Sequence, residues 1–324
     1  MIKTKYNICQ VSLNRDIPLI IENYKNFKKI YKENIIFHII CPQSQLDEFK
    51  KNFNSSEFVI INEEEIIKYQ NFKNIYNDLN KNIEYEKKFN LRLKWYYQQA
   101  LKITFVLNFI RRKKENIIIW DADTIILNKI SFFKNDISIK YGNFFEFHKN
   151  YFHTNEEILE KPPSYFISFL NQFIAISQKE CDFFIKNFLL KKNENKNENL
   201  GLIFSELMFK SIFNKHKIYS GSLFSEYELI GQSNYLFNKA KQKPILFLRF
   251  GLNGKLTNIQ KLVAKLLGYV HVTYEHAQSR NENIKMLNKN QSWSGFIRII
   301  LKNFFNFYLN YIKHNLMYNF DKFK

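Results

Sequence analysis

Short apolar runs rich in β-branched residues recur along the first 130 residues, separated by stretches long enough for a helix. They fall at residues 6–13, 34–41, 58–61 and 117–120. Runs of this kind suit strands buried on both faces, and their alternation with helical segments predicts a parallel, doubly wound sheet. The fourth run constrains the chain most. Ile117, Ile118, Ile119 and Trp120 lead straight into Asp121 and Asp123, and Thr124 then opens another apolar run at 125–127. At strand spacing, residues i and i+2 point the same way, so both carboxylates can face one point. Two like charges at the end of a buried strand are costly unless a cation or hydrogen-bond donors satisfy them. A hard divalent cation with oxygen ligands does this well.

The remaining pattern fits that frame. Helices are expected at 18–31, 44–52, 90–112 and 203–216, with Asn90 as a helix cap. Strands are expected at 137–147, 173–176, 246–250 and 269–274. Residues 68–90 read as an irregular polar and aromatic insertion that could hold short helices, and 191–199 as a solvated low-complexity loop. Pro162 and Pro163 mark a turn. We therefore expect one domain over 1–285 and a tail over 286–324.

The tail differs in kind. On a helical wheel from Ser292, Gly295, Arg298, Lys302, Asn303, Asn306, Asn310 and Lys313 share one arc, into which Ile299 and Leu309 intrude, and aromatic and aliphatic residues fill the rest. The cations from 285 onward are Lys285, Lys289, Arg298, Lys302, Lys313, Lys322 and Lys324, against the single acid Asp321. A basic, aromatic amphipathic helix suits an anionic membrane surface. The competing reading docks it on the core or in a dimer interface.

The whole chain has 49 Lys+Arg against 30 Asp+Glu, a formal charge of +19, which favours anionic partners. Lys, Asn, Ile, Phe and Tyr have AT-rich codons, so part of this basicity reflects codon bias. Cys9, Cys41 and Cys181 lie far apart and suggest neither a disulfide framework nor a zinc site. A reducing cytoplasmic setting is expected, with no signal peptide and no membrane-spanning helix. No Gly-x-Gly-x-x-Gly, Walker loop or nucleophile elbow is present, and no nucleic-acid module, so no nucleic-acid partner is expected.

Three stretches in order carry a resemblance: Trp95-Tyr-Tyr-Gln-Gln-Ala-Leu-Lys102, Trp120-Asp-Ala-Asp-Thr124 and Ser225-Glu-Tyr-Glu-Leu-Ile-Gly231. Over roughly residues 5–280 the chain resembles a bacterial family of GT-A-fold glycosyltransferases with an Asp-x-Asp motif; the segment after 290 lies outside it. The resemblance implies a GT-A-like, mostly parallel α/β sheet with helices on both faces. It further implies a nucleotide-sugar donor, for which we expect a UDP-sugar, and Mn²⁺ or Mg²⁺. Asp123 would ligate the metal directly, and Asp121 would reach ribose or metal through water. A late histidine would complete the set, with His276 preferred over His271.

Other residues have two readings each. Glu226 or Glu228 could accept the acceptor's proton, or Ser225 and Glu228 could simply form a capping box. Trp95, Gln98, Gln99 and Lys102 lie at i, i+3, i+4 and i+7 and could contact sugar, nucleotide or phosphate, or form a half-buried helix face. For the loop from Ser12 to Asp16 the resemblance implies contact with nucleobase and ribose, through Asn14, Arg15 and Asp16; the other reading is a solvated loop. The resulting expectation is a peripheral transferase on the inner face of the cytoplasmic membrane. It would build a glycan or glycolipid such as lipooligosaccharide or capsule. The rivals are a metal-dependent nucleotidyltransferase or phosphohydrolase, and a non-catalytic membrane-associated scaffold.

Overall fold

The structure is a computed structural model. It describes residues 5–32, 34–80, 92–144, 146–161, 168–192, 199–216, 222–239, 242–249, 252–274 and 289–321. The N-terminal half runs β1 (Lys5–Val11), α1 (Ile17–Ile30), β2 (Asn34–Cys41), α2 (Leu46–Asn52), β3 (Phe58–Asn62), α3 (Glu63–Ile66), α4 (Tyr69–Leu79), α5 (Leu93–Lys113) and β4 (Ile117–Trp120). Then come β5 (Thr124–Ile126), β6 (Phe133–Lys134), β7 (Ile137–Ser138), β8 (Tyr141–Gly142), α6 (Lys149–Leu159), β9 (Phe173–Ile176) and α7 (Gln178–Phe184). The chain continues through α8 (Leu200–Lys215), α9 (Glu226–Asn238), β10 (Lys243–Pro244), α10 (Asn258–Leu266), β11 (His271–Thr273) and α11 (Trp293–Asp321).

The central sheet has the order β3-β2-β1-β4-β9. Its first four strands are parallel, and β9 joins β4 antiparallel. The fold is thus mixed α/β with a mostly parallel sheet, as the strand–helix alternation predicts. Alternate side chains go to opposite faces. Ile8, Ile118, Trp120 and Phe173 pack with Ile20 and Phe27 of α1 and Phe49 of α2. Cys9, Val11, Ile117 and Ile119 pack with Leu101, Val106 and Ile110 of α5, backed by α4 and α8. A third cluster joins β5, β11, α10 and α11.

Local chemistry sets several boundaries. Pro18 sits in the first turn of α1, where no backbone N–H is required. Asn62 caps α3 by accepting from Glu64 N. Lys114 ends α5 in the left-handed region, at φ 56°, and its N–H returns to the Ile110 carbonyl. Reciprocal capping boxes start α7 (Ser177 with Glu180) and α10 (Thr257 with Gln260).

Some expectations need correction. Within residues 68–80, where an irregular insertion with short helices is expected, the chain forms one regular helix, α4, whose Phe72 and Tyr76 recur at helical spacing and are buried. Among the described residues of 137–147, the expected strand reduces to two-residue pairings at β7 and β8 and one bridge, Asn143 with Ser168. Of the strand expected over 246–250, the described residues 246–249 contribute one bridge, Leu248 with Val272. The expected caps and turns at Asn90, Pro162 and Pro163, and most of the 191–199 loop, lie outside the described residues.

Candidate active site at the switch point of the sheet

The chain leaves β1 toward β2 and β3 on one side and returns to β4 on the other, so its direction reverses between β1 and β4. In open α/β sheets, ligands bind in the crevice at the carboxyl ends of the strands flanking such a reversal. Here those ends carry residues 12–16 after β1 and residues 121–123 after β4.

β4 stops at Trp120, and residues 121–123 form a turn rather than more strand. Thr124 N donates to the Asp121 carbonyl (3.1 Å), and the Trp120 indole N–H donates to the Thr124 carbonyl (2.8 Å). The i, i+2 strand geometry expected for the two carboxylates therefore does not apply. They are related instead through Tyr227. Burial raises the pKa of that phenol, and the charges of Asp121, Glu226 and Asp123 raise it further.

Asp121 is already compensated. Its Oδ1 accepts from Lys102 Nζ at 2.5 Å and from the Tyr227 hydroxyl at 2.6 Å. The same Nζ donates to Glu226 Oε1 at 2.7 Å and sits 5.1 Å from the centre of the Tyr227 ring. Burial opposes charge on Lys102, but Asp121 and then Glu226 outweigh it, so the ammonium's pKa is raised. Burial pushes Glu226 up; Lys102 pulls it back, and the Asp121 charge adds to the rise. The cluster thus holds two carboxylates and one cation. Of the two acids, Glu226 is the more deeply buried.

Three elements assemble this group. Lys102 and Gln99 come from α5, Asp121 from the end of β4, and Glu226 and Tyr227 from the first turn of α9. Gln99 Oε1 accepts from Glu226 N at 3.0 Å, which pins the start of α9. The Gln99 amide nitrogen is buried without a hydrogen-bond partner. Trp95 lies two turns earlier on α5, edge-on to Tyr96 with the Arg92 guanidinium 5.9 Å from its ring. Gln98 is half-buried.

After β1, Asp16 Oδ2 accepts from Leu13 N (2.9 Å), and its other oxygen lies 3.6 Å from the Arg15 guanidinium. Burial raises the pKa of Asp16, and the Asp121 charge contributes to that rise. The two acids therefore share one electrostatic neighbourhood. Asn14 is turned aside: its N–H reaches Gln45 Oε1 (2.7 Å) and its amide reaches Glu48 Oε2 (3.1 Å) on α2.

Two residues are not brought to this group. Glu228 points away from Lys102 and accepts from Ser168 Oγ and from Phe169 N (3.0 Å). The capping box with Ser225 does not form, because the Ser225 hydroxyl makes no capping bond and Glu228 is engaged elsewhere. His271 is fully buried, stacked on Phe247 at 4.9 Å, and burial drives its pKa down to about 3. It is a core imidazole, not a ligand at the acidic turn. His276 lies outside the described residues.

A divalent cation is chemically compatible with this corner. Mg²⁺ and Mn²⁺ take oxygen donors and accept one or two carboxylates with waters and substrate phosphates. Asp123 is half-buried and supplies such a donor, and Asp121 stands two residues before it. Among the described residues, no three His, Cys, Asp or Glu side chains converge to hold a metal unaided. Substrate oxygens would have to complete the shell.

Sequence reasoning missed Tyr227, although it lies between the two glutamates already singled out. It also missed Gln10 and gave no role to Ser12, which opens the candidate loop after β1; both side chains are buried there without hydrogen-bond partners. A polar residue closing an apolar strand was the available signal.

No protein-family model matches the sequence, and no curated protein does. Among solved structures the chain is similar to the PaToxG glycosyltransferase, with 13% identity and a TM-score of 0.36, covering 88% of this chain and 84% of that one. A likeness of that size carries no weight below.

Proposed function

We propose that the chain is a glycosyltransferase that moves a sugar from a nucleoside-diphosphate donor, UDP-linked in the first instance, to a glycan or glycolipid acceptor. The observation that supports it best is the Lys102–Asp121–Glu226–Tyr227 cluster at the switch point, beside Asp123. The crevice between the β1 and β4 ends, next to residues 12–16, is where the nucleotide would bind. Asp123, with Asp121, would hold the cation. A bound Mn²⁺ or Mg²⁺ would act as a Lewis acid toward a diphosphate leaving group.

The protein's own groups have definable tasks. Lys102 holds the Asp121 carboxylate in place and keeps a positive charge under the acidic turn. Tyr227 fixes the same oxygen from the other side. Glu226, whose pKa is raised by burial and by the Asp121 charge, is suited to accept a proton from an acceptor hydroxyl. The unpartnered Gln99 amide and the Gln10 and Ser12 side chains offer polar contacts to sugar or ribose hydroxyls.

The test is incubation with a panel of UDP-sugars and Mn²⁺. Release of UDP by the parent chain, lost in Asp123→Ala, supports transfer. Release of sugar phosphate would point instead to a phosphohydrolase. A thermal shift with UDP plus Mn²⁺ gives a second readout. Parent stabilisation that vanishes in Asp123→Ala supports the metal site, and no stabilisation of the parent favours the scaffold.

A further inference from the structure

α10 is built inside out. Gln260 and Ala264, at i and i+4, face the core. Ile259, Leu262 and Leu266 lie on the opposite side and are 63%, 55% and 78% exposed. A helix at the surface of a globular protein ordinarily turns its apolar stripe inward. α11 repeats the pattern. Phe296, Ile299 and Ile300 anchor it in the third core cluster, while Trp293, Ile297, Leu301, Phe305, Tyr308 and Ile312 stand in solvent. Part of its polar arc turns inward: Asn303 is buried and Asn310 donates to the Phe144 carbonyl at 3.1 Å.

The two helices are neighbours. The Gln260 amide donates to the Gln291 carbonyl (2.9 Å) just before α11, and the Tyr269 hydroxyl donates to the Ile300 carbonyl (3.0 Å) within it. Exposed apolar surface on this scale marks an interaction site. The charge says of what kind. Residues 252–274 and 289–312 contain Lys255, Lys261, Lys265, Lys289, Arg298 and Lys302 and no Asp or Glu. Lys255 and Lys261 pair with Glu22 of α1, but Lys265, Arg298 and Lys302 are exposed. A second copy bringing the same face would oppose like charges. An anionic lipid surface complements them, and Trp293 and Tyr308 suit its water–lipid boundary. Among the described residues no helix is long and apolar enough to cross a membrane, so the contact lies in the interface plane.

We infer that the exposed faces of α10 and α11 together form a docking surface for an anionic phospholipid bilayer. The surface is joined to the acidic turn through one residue. Tyr274 N donates to the Asp123 carbonyl (3.0 Å), and the Tyr274 hydroxyl accepts from Leu256 N (3.1 Å), ahead of α10. The surface does not depend on the transfer chemistry.

Flotation of the full chain with vesicles tests it. The parent should float with phosphatidylcholine mixed with phosphatidylglycerol and not with phosphatidylcholine alone. Leu262→Asn with Leu266→Asn, and separately Ile297→Asn with Phe305→Asn, should each weaken that binding by roughly a hundredfold, from the apolar area withheld. Arg298→Gln with Lys302→Gln should weaken it by roughly twentyfold, and added salt should mimic the change. All four positions in the apolar pairs are exposed, so melting temperatures and the UDP–Mn²⁺ thermal shift should match the parent; this separates a docking failure from a failure of the transfer reading. The inference is overturned if the parent floats with neither vesicle, or if the α10 pair floats like the parent. It is equally overturned if light scattering shows a dimer that the α10 pair dissolves while no vesicle binds.

Discussion

Lys102 serves two carboxylates, and its single charge cannot neutralise both. That imbalance gives Glu226 its proposed role. Burial and the neighbouring Asp121 raise its pKa, so protonation removes the base as pH falls through that value. Glu226→Gln should keep the fold, lower kcat by about 10²–10⁴-fold, and flatten the acid limb of the pH–rate profile of UDP release. Glu228 makes a contrasting prediction. Burial lifts its pKa from 4.5 to about 7. Between those values the folded chain binds the extra proton, so stability is fully present below pH 4.5 and is lost as pH rises through about 7. Glu228→Gln should match the parent at low pH and exceed it by roughly 2–3 kcal/mol at alkaline pH in denaturant melts. Sequence alone showed two suitable glutamates, two residues apart, and could not tell them apart. They point in different directions from one helix start, and only the packing partners, Lys102 for one and Ser168 for the other, assign them.

α9 shows what an element must do to deliver such a residue. Its first turn carries Glu226 and Tyr227 into the crevice, and the next turns must lie close to the segment before β9. Gly231 permits that approach: a Cβ there would sit 2.1 Å from the Phe169 ring. Gly231→Ala should therefore lower stability by about 1–3 kcal/mol despite its gain in helix propensity, measurable by chemical denaturation. The same shift of α9 should raise KM for the donor. The Ser225–Gly231 stretch was legible in sequence as a unit, but its capping-box reading was wrong because Glu228 finds better donors across the fold. Local pattern cannot see a partner sixty residues away, and Ser168 with Phe169 is such a partner. His271 failed for a related reason. His271, the less favoured of the two late histidines, opens a strand that pairs with β5 inside an aromatic cage and keeps the imidazole dry.

Across the whole molecule, the sheet was legible because buried strands repeat a local pattern. The runs at 6–13, 34–41, 58–61 and 117–120 each become a strand of one sheet. Strand order and the antiparallel β9 are nonlocal and left no mark in the sequence. Nor did the way the last helix seats itself. A helical wheel separates polar from apolar residues but cannot say which side meets the body. α11 turns Phe296, Ile299 and Ile300 inward beside Leu252, Tyr269 and Val272 and leaves a second apolar face in water. Removing it would do more than delete a membrane contact. Each of those three side chains contributes about 1.5–3 kcal/mol through burial, and their loss would uncover the cluster that holds β11 against β5 and, through Tyr274, the Asp123 backbone. A chain ending at residue 291 should therefore melt well below the parent, bind a hydrophobic dye, and lose its UDP–Mn²⁺ thermal shift. The exposed-face substitutions should do none of these. If the truncated chain instead melts with the parent, the helix is an appendage rather than part of the core.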